Sequence, residues 1–162
     1  MNARAPGAPM PISSGLEAAW QCLAAVEDPE IPGLSVLDLG LVRSLEPRAG
    51  GGVRASVSPT YTGCPATEVI STQIVQALES AGFGPVELHQ ALAPAWSTDW
   101  ISAEGRRKLA ALGIAPPVPT APACPRCGSA DTERLSAFGS TPCKALHRCR
   151  NCHEPFEAFK CL

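Results

Sequence analysis

Residues 124–152, CPRCGSADTERLSAFGSTPCKALHRCRNC, hold two Cys-x-x-Cys pairs, Cys124/Cys127 and Cys149/Cys152, separated by 21 residues. Each pair can curl as a tight knuckle that points two sulfurs at one ion. Two knuckles complete a tetrahedral all-sulfur shell, which suits zinc. The residues between the pairs are long enough for a short hairpin. So small a module has too few apolar residues to fold unaided, and bound metal supplies on the order of 10–16 kcal/mol in comparable zinc peptides. The spacing therefore predicts a C-terminal zinc ribbon over residues 123–162, with a structural Zn2+ on Cys124, Cys127, Cys149 and Cys152. An iron–sulfur cluster on the same thiolates is the alternative. Four thiolates leave the site with a formal charge of about −2, which Arg126, Lys144, Arg148 and Arg150, close by in sequence, can offset. His147 and His153 are not needed to complete the shell and read as surface residues. Cys143 reads either as a buried thiol or as a spare ligand, and Cys161 has no assigned role.

The rest of the composition is that of an ordinary globular protein: 45% apolar and 17% charged residues in a chain of 162. Six of the eight cysteines fall in the last forty residues. Charge is divided unevenly. Residues 1–122 carry seven basic and eleven acidic side chains, residues 123–162 six and four. A basic excess that small, largely cancelled by thiolates, is a weak footprint for nucleic acid. No run approaches the roughly 20 apolar residues that span a bilayer, so no membrane partner is expected. The opening MNARAPGAPMPISS has one Arg and no apolar core of a signal peptide. A reducing cytoplasm is the expected compartment, and there paired cysteines are metal ligands rather than disulfides.

Upstream of the ribbon the pattern alternates helix and strand. Residues 1–13 are rich in Ala and Pro and read as disordered. Ser14-Gly-Leu-Glu17 fits a capping box, and Leu16, Ala19, Trp20, Leu23 and Val26 recur at helical spacing to about residue 26. Strands are expected at 41–46 and 53–57 around the glycines at 50–52, a helix at 65–81, a third strand at 86–91 and a last helix at 99–112 with Trp100, Ile101, Leu109 and Leu112 on its apolar side. Pro65 and Gly82 mark the limits of the second helix. This is an α+β chain. Residues 14–113 form a small α-β-β-α-β-α two-layer sandwich, residues 114–122 a Pro-rich linker, and the ribbon follows. Cys22 falls on the first helix as a packing residue, and His89 on a strand as a solvent-facing one.

Two loops of the sandwich carry chemistry-bearing residues. Cys64 precedes Pro65 at the cap of the second helix, where free N–H groups and the helix dipole favour a thiolate. Such a thiol can be a nucleophile or a metal donor, or simply a small residue filling the strand–helix corner. Asp28-Pro-Glu30 puts two carboxylates on a rigid loop, as oxygen ligands, as an acid/base pair, or as caps of chain ends. No Ser/His/Asp motif, phosphate-binding glycine loop or dinucleotide fingerprint is present, and no catalytic residue is assigned.

These stretches carry a resemblance. DPEIPGLSVLDLGLV (28–42), PTYTGCP (59–65) and the helix after them resemble the domain shared by SufT-type and cytosolic iron–sulfur assembly proteins. The recurring motifs of that family, its Asp-Pro-Glu loop and its Gly-Cys-Pro cysteine, match Asp28, Pro29, Glu30 and Cys64. Further on, PAWSTDWISAEGRRKLAALGIAPP, CPRCGS, FGSTPCKA and RCRNCHEPFEAFKCL resemble the PaaD family, also called the PaaJ subunit, encoded with the multicomponent phenylacetyl-CoA epoxidase of aerobic phenylacetate degradation. The similarity covers nearly the whole chain after residue 13. It implies an accessory role: loading iron or an Fe–S cluster into a partner, with Cys64, Asp28 and Glu30 as the candidate transfer site. The implied partners are the other epoxidase subunits, including the reductase. A homodimer is compatible with the same reading, as are two alternatives, a stoichiometric structural subunit and an Fe–S electron-transfer subunit. The chain lacks the paired Glu-x-x-His helices of a di-iron site and any flavin or nicotinamide motif, so it is not expected to catalyse epoxidation itself.

Overall fold

The structure is a computed structural model that describes residues 15–61 and 63–162. The expected disorder of residues 1–13 and the Ser14 cap lie outside the described residues. The chain divides into two compact units, Met1–Ser102 and Ala103–Leu162.

The first unit opens with α1, Glu17–Leu23, which is shorter than the periodicity suggests. Leu16 stands at its N-cap without a side-chain cap bond. The Glu17 carboxylate accepts from the Gly15 N–H at 2.7 Å. Beyond Leu23 the chain tightens into three-residue turns, with the Ala24, Ala25 and Val26 N–H groups donating to Gln21, Cys22 and Leu23. That is the usual way a helix winds down before a proline-restricted residue such as Asp28.

Residues 28–41 form a loop that is held as firmly as a helix. Ser35 and Asp38 cap each other: the Ser35 N–H and hydroxyl both donate to the Asp38 carboxylate, at 3.0 and 2.9 Å, and the Asp38 N–H donates to the Ser35 hydroxyl at 3.0 Å. The Trp96 indole N–H donates to the Leu39 carbonyl at 2.8 Å. Leu34, Val36 and Leu39 are at most 1% exposed. At roughly 1.5–3 kcal/mol for each side chain of this size, burial outweighs the entropy of fixing so irregular a segment.

Strands β1 (Val42–Pro47) and β2 (Val53–Val57) pair antiparallel, and β3 (Val86–Gln90) adds to β2 in parallel. A parallel neighbour needs a crossover, and α2 (Ala66–Ser80) supplies it. Its buried residues, Ala66, Ile70, Ile74 and Leu78, fall four apart on one stripe. Its end is a Schellman turn: Gly82 has φ +87°, its N–H donates to Glu79, and the Phe83 N–H donates to Leu78. The β1–β2 turn needs Gly52 for a second reason. A Cβ there would lie 2.0 Å from the Pro85 carbonyl oxygen.

The expected helix at 99–112 is broken. A 3-10 turn, Thr98–Trp100, is capped by the Ser97 hydroxyl, which accepts from the Asp99 N–H at 3.2 Å. After Ile101 and Ser102 the chain restarts as α3, Ala103–Ala111, which belongs to the second unit. Trp100, Ile101 and Leu109 are buried as expected, but Leu112 is 51% exposed because the helix ends before it. In the second unit four strands line up as β4-β7-β6-β5: β4 Ile114–Ala115, β5 Thr132–Ser136, β6 Lys144–Cys149 and β7 Pro155–Phe159. The β5-β6-β7 part is the hairpin ribbon. β4 lies inside the proline-rich stretch, parallel to β7. That stretch is anchored elsewhere too: the Pro117 carbonyl accepts from Arg106, and the Pro122 carbonyl from the Thr132 hydroxyl.

Candidate metal centre and the Cys64 loop

The four predicted ligands meet. The sulfurs of Cys124, Cys127, Cys149 and Cys152 all lie within 4.8 Å of one another, with Cys124–Cys152 at 3.7 Å and Cys127–Cys149 at 3.6 Å. Tetrahedral sulfurs at about 2.3 Å from one ion stand about 3.8 Å apart. The spacing is that of a single-ion shell.

The two knuckles are built alike. In the first, the Gly128 N–H donates to the Cys124 carbonyl, while the Cys124 N–H donates to the Ser129 carbonyl at 2.9 Å. In the second, the Cys149 N–H donates to the Glu154 carbonyl at 2.9 Å. The residue after the second cysteine turns left-handed in both, Gly128 at φ +75° and His153 at φ +63°. His153 thus has a backbone task and an exposed side chain, consistent with a surface residue rather than a ligand.

Without a cation these thiols cannot all ionise together. The Ser129 N–H and then the Asn151 side chain pull the Cys127 thiol down to about 6. The Glu154 N–H also lowers Cys152, but burial and the three neighbouring sulfurs outweigh it and push that thiol up to about 12. A bound cation removes this conflict. The buried cluster around the ligands comprises Ala115, Cys124, Cys149, Phe156 and Ala158 with Cys152 against it, and a bound ion would add its own cohesion to that packing.

Of the four cations expected to offset the thiolates, Arg126 takes that position. It pairs with Glu154, and Cys152 and Cys124 help to hold its charge. Arg148 and Arg150 are instead drawn to Glu133. Lys144 is buried, with its Nζ 2.7 Å from Glu157 and 2.9 Å from the Ser140 hydroxyl. Cys143 is a buried thiol 3.0 Å from the Thr141 hydroxyl, outside the four-sulfur cluster, and Cys161 is exposed.

In the first unit Cys64 stands just before the helix start. The Thr67 N–H donates to its carbonyl and its own N–H donates to Tyr61. Cys64 and Asp28 both line one cavity of about 20 Å³, with Ser58, Thr60, Thr67, Leu41 and Ile70 among the walls. That is the room of about one water. Glu30 does not line it. Asp28 is buried, and its Oδ1 accepts from the Glu30 and Ile31 N–H groups at 2.7 and 3.1 Å, which fixes the turn at residues 28–31. Sequence reasoning missed Ser58, Thr60 and Thr67. The only available signal was their place on either side of Cys64.

Two family models match the chain: an iron-sulfur cluster assembly protein over residues 16–87, and the PaaD zinc beta ribbon domain over residues 116–160. A protein of Escherichia coli (strain K12), described as a subunit of 1,2-phenylacetyl-CoA epoxidase, is 45% identical over 151 residues, 88% of this chain and 91% of the relative. An Fe-S protein maturation auxiliary factor of Porphyromonas gingivalis is 34% identical over 91 residues, 56% of this chain and 86% of its own. A domain of unknown function, DUF59, from Bacillus anthracis shares the fold at a TM-score of 0.53 and 24% identity, covering 57% of this chain and 88% of that one. An assembly-type domain is joined here to a four-cysteine ribbon, and one relative matches that order nearly end to end; the chain therefore belongs to the PaaD family of phenylacetyl-CoA epoxidase subunits.

Proposed function

We propose that the chain is an accessory maturation component of the phenylacetyl-CoA epoxidase system, assisting iron or Fe–S cluster assembly in a partner subunit. The observation that carries this reading is the small cavity that Cys64 and Asp28 both line. A soft and a hard donor together suit an iron ion held in passage. Cys64 acts as the transfer ligand and Asp28 as an oxygen donor beside it. Glu30 serves the loop and contributes less. The work belongs to a reducing cytoplasm, where the thiol stays available.

The ribbon takes a different part. We assign zinc to its four cysteines, as a structural ion. The sulfur separations support a single ion over a cluster, whose ligands sit on different irons and spread further apart. An electron-transfer role on these cysteines is correspondingly disfavoured.

The test is to express the other epoxidase components with and without this chain. The expected result is lower iron content and lower epoxidation without it, and the same deficit with Cys64→Ser. Asp28→Asn keeps the turn while removing the charge, and is expected to impair loading more than Glu30→Gln. Equal iron and activity in all preparations would reject the proposal. The description of the Escherichia coli relative favours a second reading, a stoichiometric subunit. That reading predicts stable co-purification with the catalytic subunits and indifference to Cys64→Ser.

A further inference from the structure

A cavity of about 330 Å³ runs along the ribbon between residues 118–122 and the faces of β5, β6 and β7. Three basic side chains line it, Arg134, His147 and Lys160, and no acidic one does. Its apolar wall includes Pro119, Ala145 and Ala158.

The pattern of ion pairs across the ribbon sets this trough apart. On β5 and β6 the register partners Glu133 and Arg148 form an ion pair, which Arg150 also joins. The next partners, Arg134 and His147, are directly opposite each other with no acid between them. Basic groups in that position weaken a ladder rather than support it. The ribbon's other cations, Arg126, Lys144, Arg148 and Arg150, each have a carboxylate partner among the described residues. Arg134 and Lys160 have none among the described residues; the Lys160 ammonium rests on the Phe138 ring at 4.1 Å. Phe138 is itself 65% exposed. His147 stacks on Phe156, and its Nδ1 has no hydrogen-bond partner.

We propose that this trough binds an acidic peptide segment of a protein partner, with a carboxylate between Arg134 and Lys160 and an apolar neighbour against Pro119, Ala145 and Ala158. An extended chain suits it better than a small molecule. Small-molecule sites enclose most of their ligand, whereas Val118, Pro119, Thr120, Arg134 and Cys161 are all exposed along this wall. The inference does not depend on the role given to Cys64.

The test uses the full metal-loaded chain and a fluorescein-labelled eight-residue peptide of alternating Glu and Leu, followed by anisotropy. A control peptide carries Gln at every Glu. The Glu peptide is expected to bind more tightly and to weaken with added salt. Arg134→Gln and Lys160→Gln should each weaken it roughly tenfold, the ordinary value of a charge-assisted contact. Arg148→Gln, which removes a cation already paired with Glu133, should leave it within about twofold. Equal binding of the Glu and Gln peptides, or indifference to Arg134→Gln and Lys160→Gln, would overturn the proposal. So would full displacement of the peptide by inorganic triphosphate at equal concentration, which would mark a small-anion site instead. A chain that loses peptide binding through Arg134→Gln while still restoring iron to its partners would separate this site from the Cys64 proposal.

Discussion

Lys144 is 3% exposed, an unusual place for an ammonium group. It is tolerated because Glu157 and Ser140 surround it, with Glu157 also accepting from the Ser140 N–H and hydroxyl. Burial raises the Glu157 carboxyl, but Lys144 and Ser140 outweigh it and hold it below the ordinary carboxylate range. The sign follows. A carboxyl lowered by folding contributes stability that is present above its unfolded value, about pH 4.3, and lost as pH falls through the folded one. Lys144→Met should cost roughly 1–3 kcal/mol at neutral pH, less than for a fully buried pair because Glu157 keeps some solvent. It should also flatten the acid limb of a Tm-against-pH curve. The pairing could not be read from the sequence, because twelve residues and a knuckle separate the partners. The four cysteines could, because ligand spacing is fixed by the ion and not by the rest of the fold. Cys64 and Asp28 fall between these cases: each residue was legible, but their shared cavity depends on the turn at residues 28–31 and on side chains from β2 and α2.

At the scale of elements, a reading from periodicity succeeds where local and tertiary signals agree. α2 has a proline at its start, a glycine beyond its end and one apolar stripe, and its observed limits lie within a residue of the expected ones. The region 99–112 has a helical pattern of large apolar residues, but Ser102 interrupts it by donating its N–H to the Asp38 carbonyl at 2.8 Å. A tertiary bond of that kind leaves no trace in a sequence window. The ribbon strands present the opposite problem: we expect them to form only once an ion clamps their knuckles. Removing metal with a chelator should therefore raise amide exchange throughout β5, β6 and β7 and leave β1, β2, β3 and α2 protected. Hydrogen-exchange mass spectrometry with and without the chelator measures this directly. Equal loss of protection in both sets would show that the metal supports more than the ribbon.

On the scale of the whole molecule, the two units are cored differently. Residues 15–102 depend on apolar side chains fully withdrawn from water, among them Leu23, Leu34, Leu39, Ile74 and Leu78. Residues 103–162 bury fewer apolar side chains and gather four cysteine sulfurs in a cluster that fits one ion. No helix among the described residues is long and apolar enough to cross a membrane. The two-residue strand β4 was hidden within a proline-rich stretch, where composition argues against any strand at all, yet it occupies the open side of β7. Its position has a practical consequence for anyone dissecting the protein. The ribbon family match begins at residue 116, one residue after β4 ends. A fragment cut at that boundary would expose the bare β7 edge, and unpaired edges recruit other strands. Sedimentation should find such a fragment self-associated even with its metal bound, whereas one beginning at residue 103 should remain monomeric. The matched family module and the compact unit of the fold, in other words, have different beginnings.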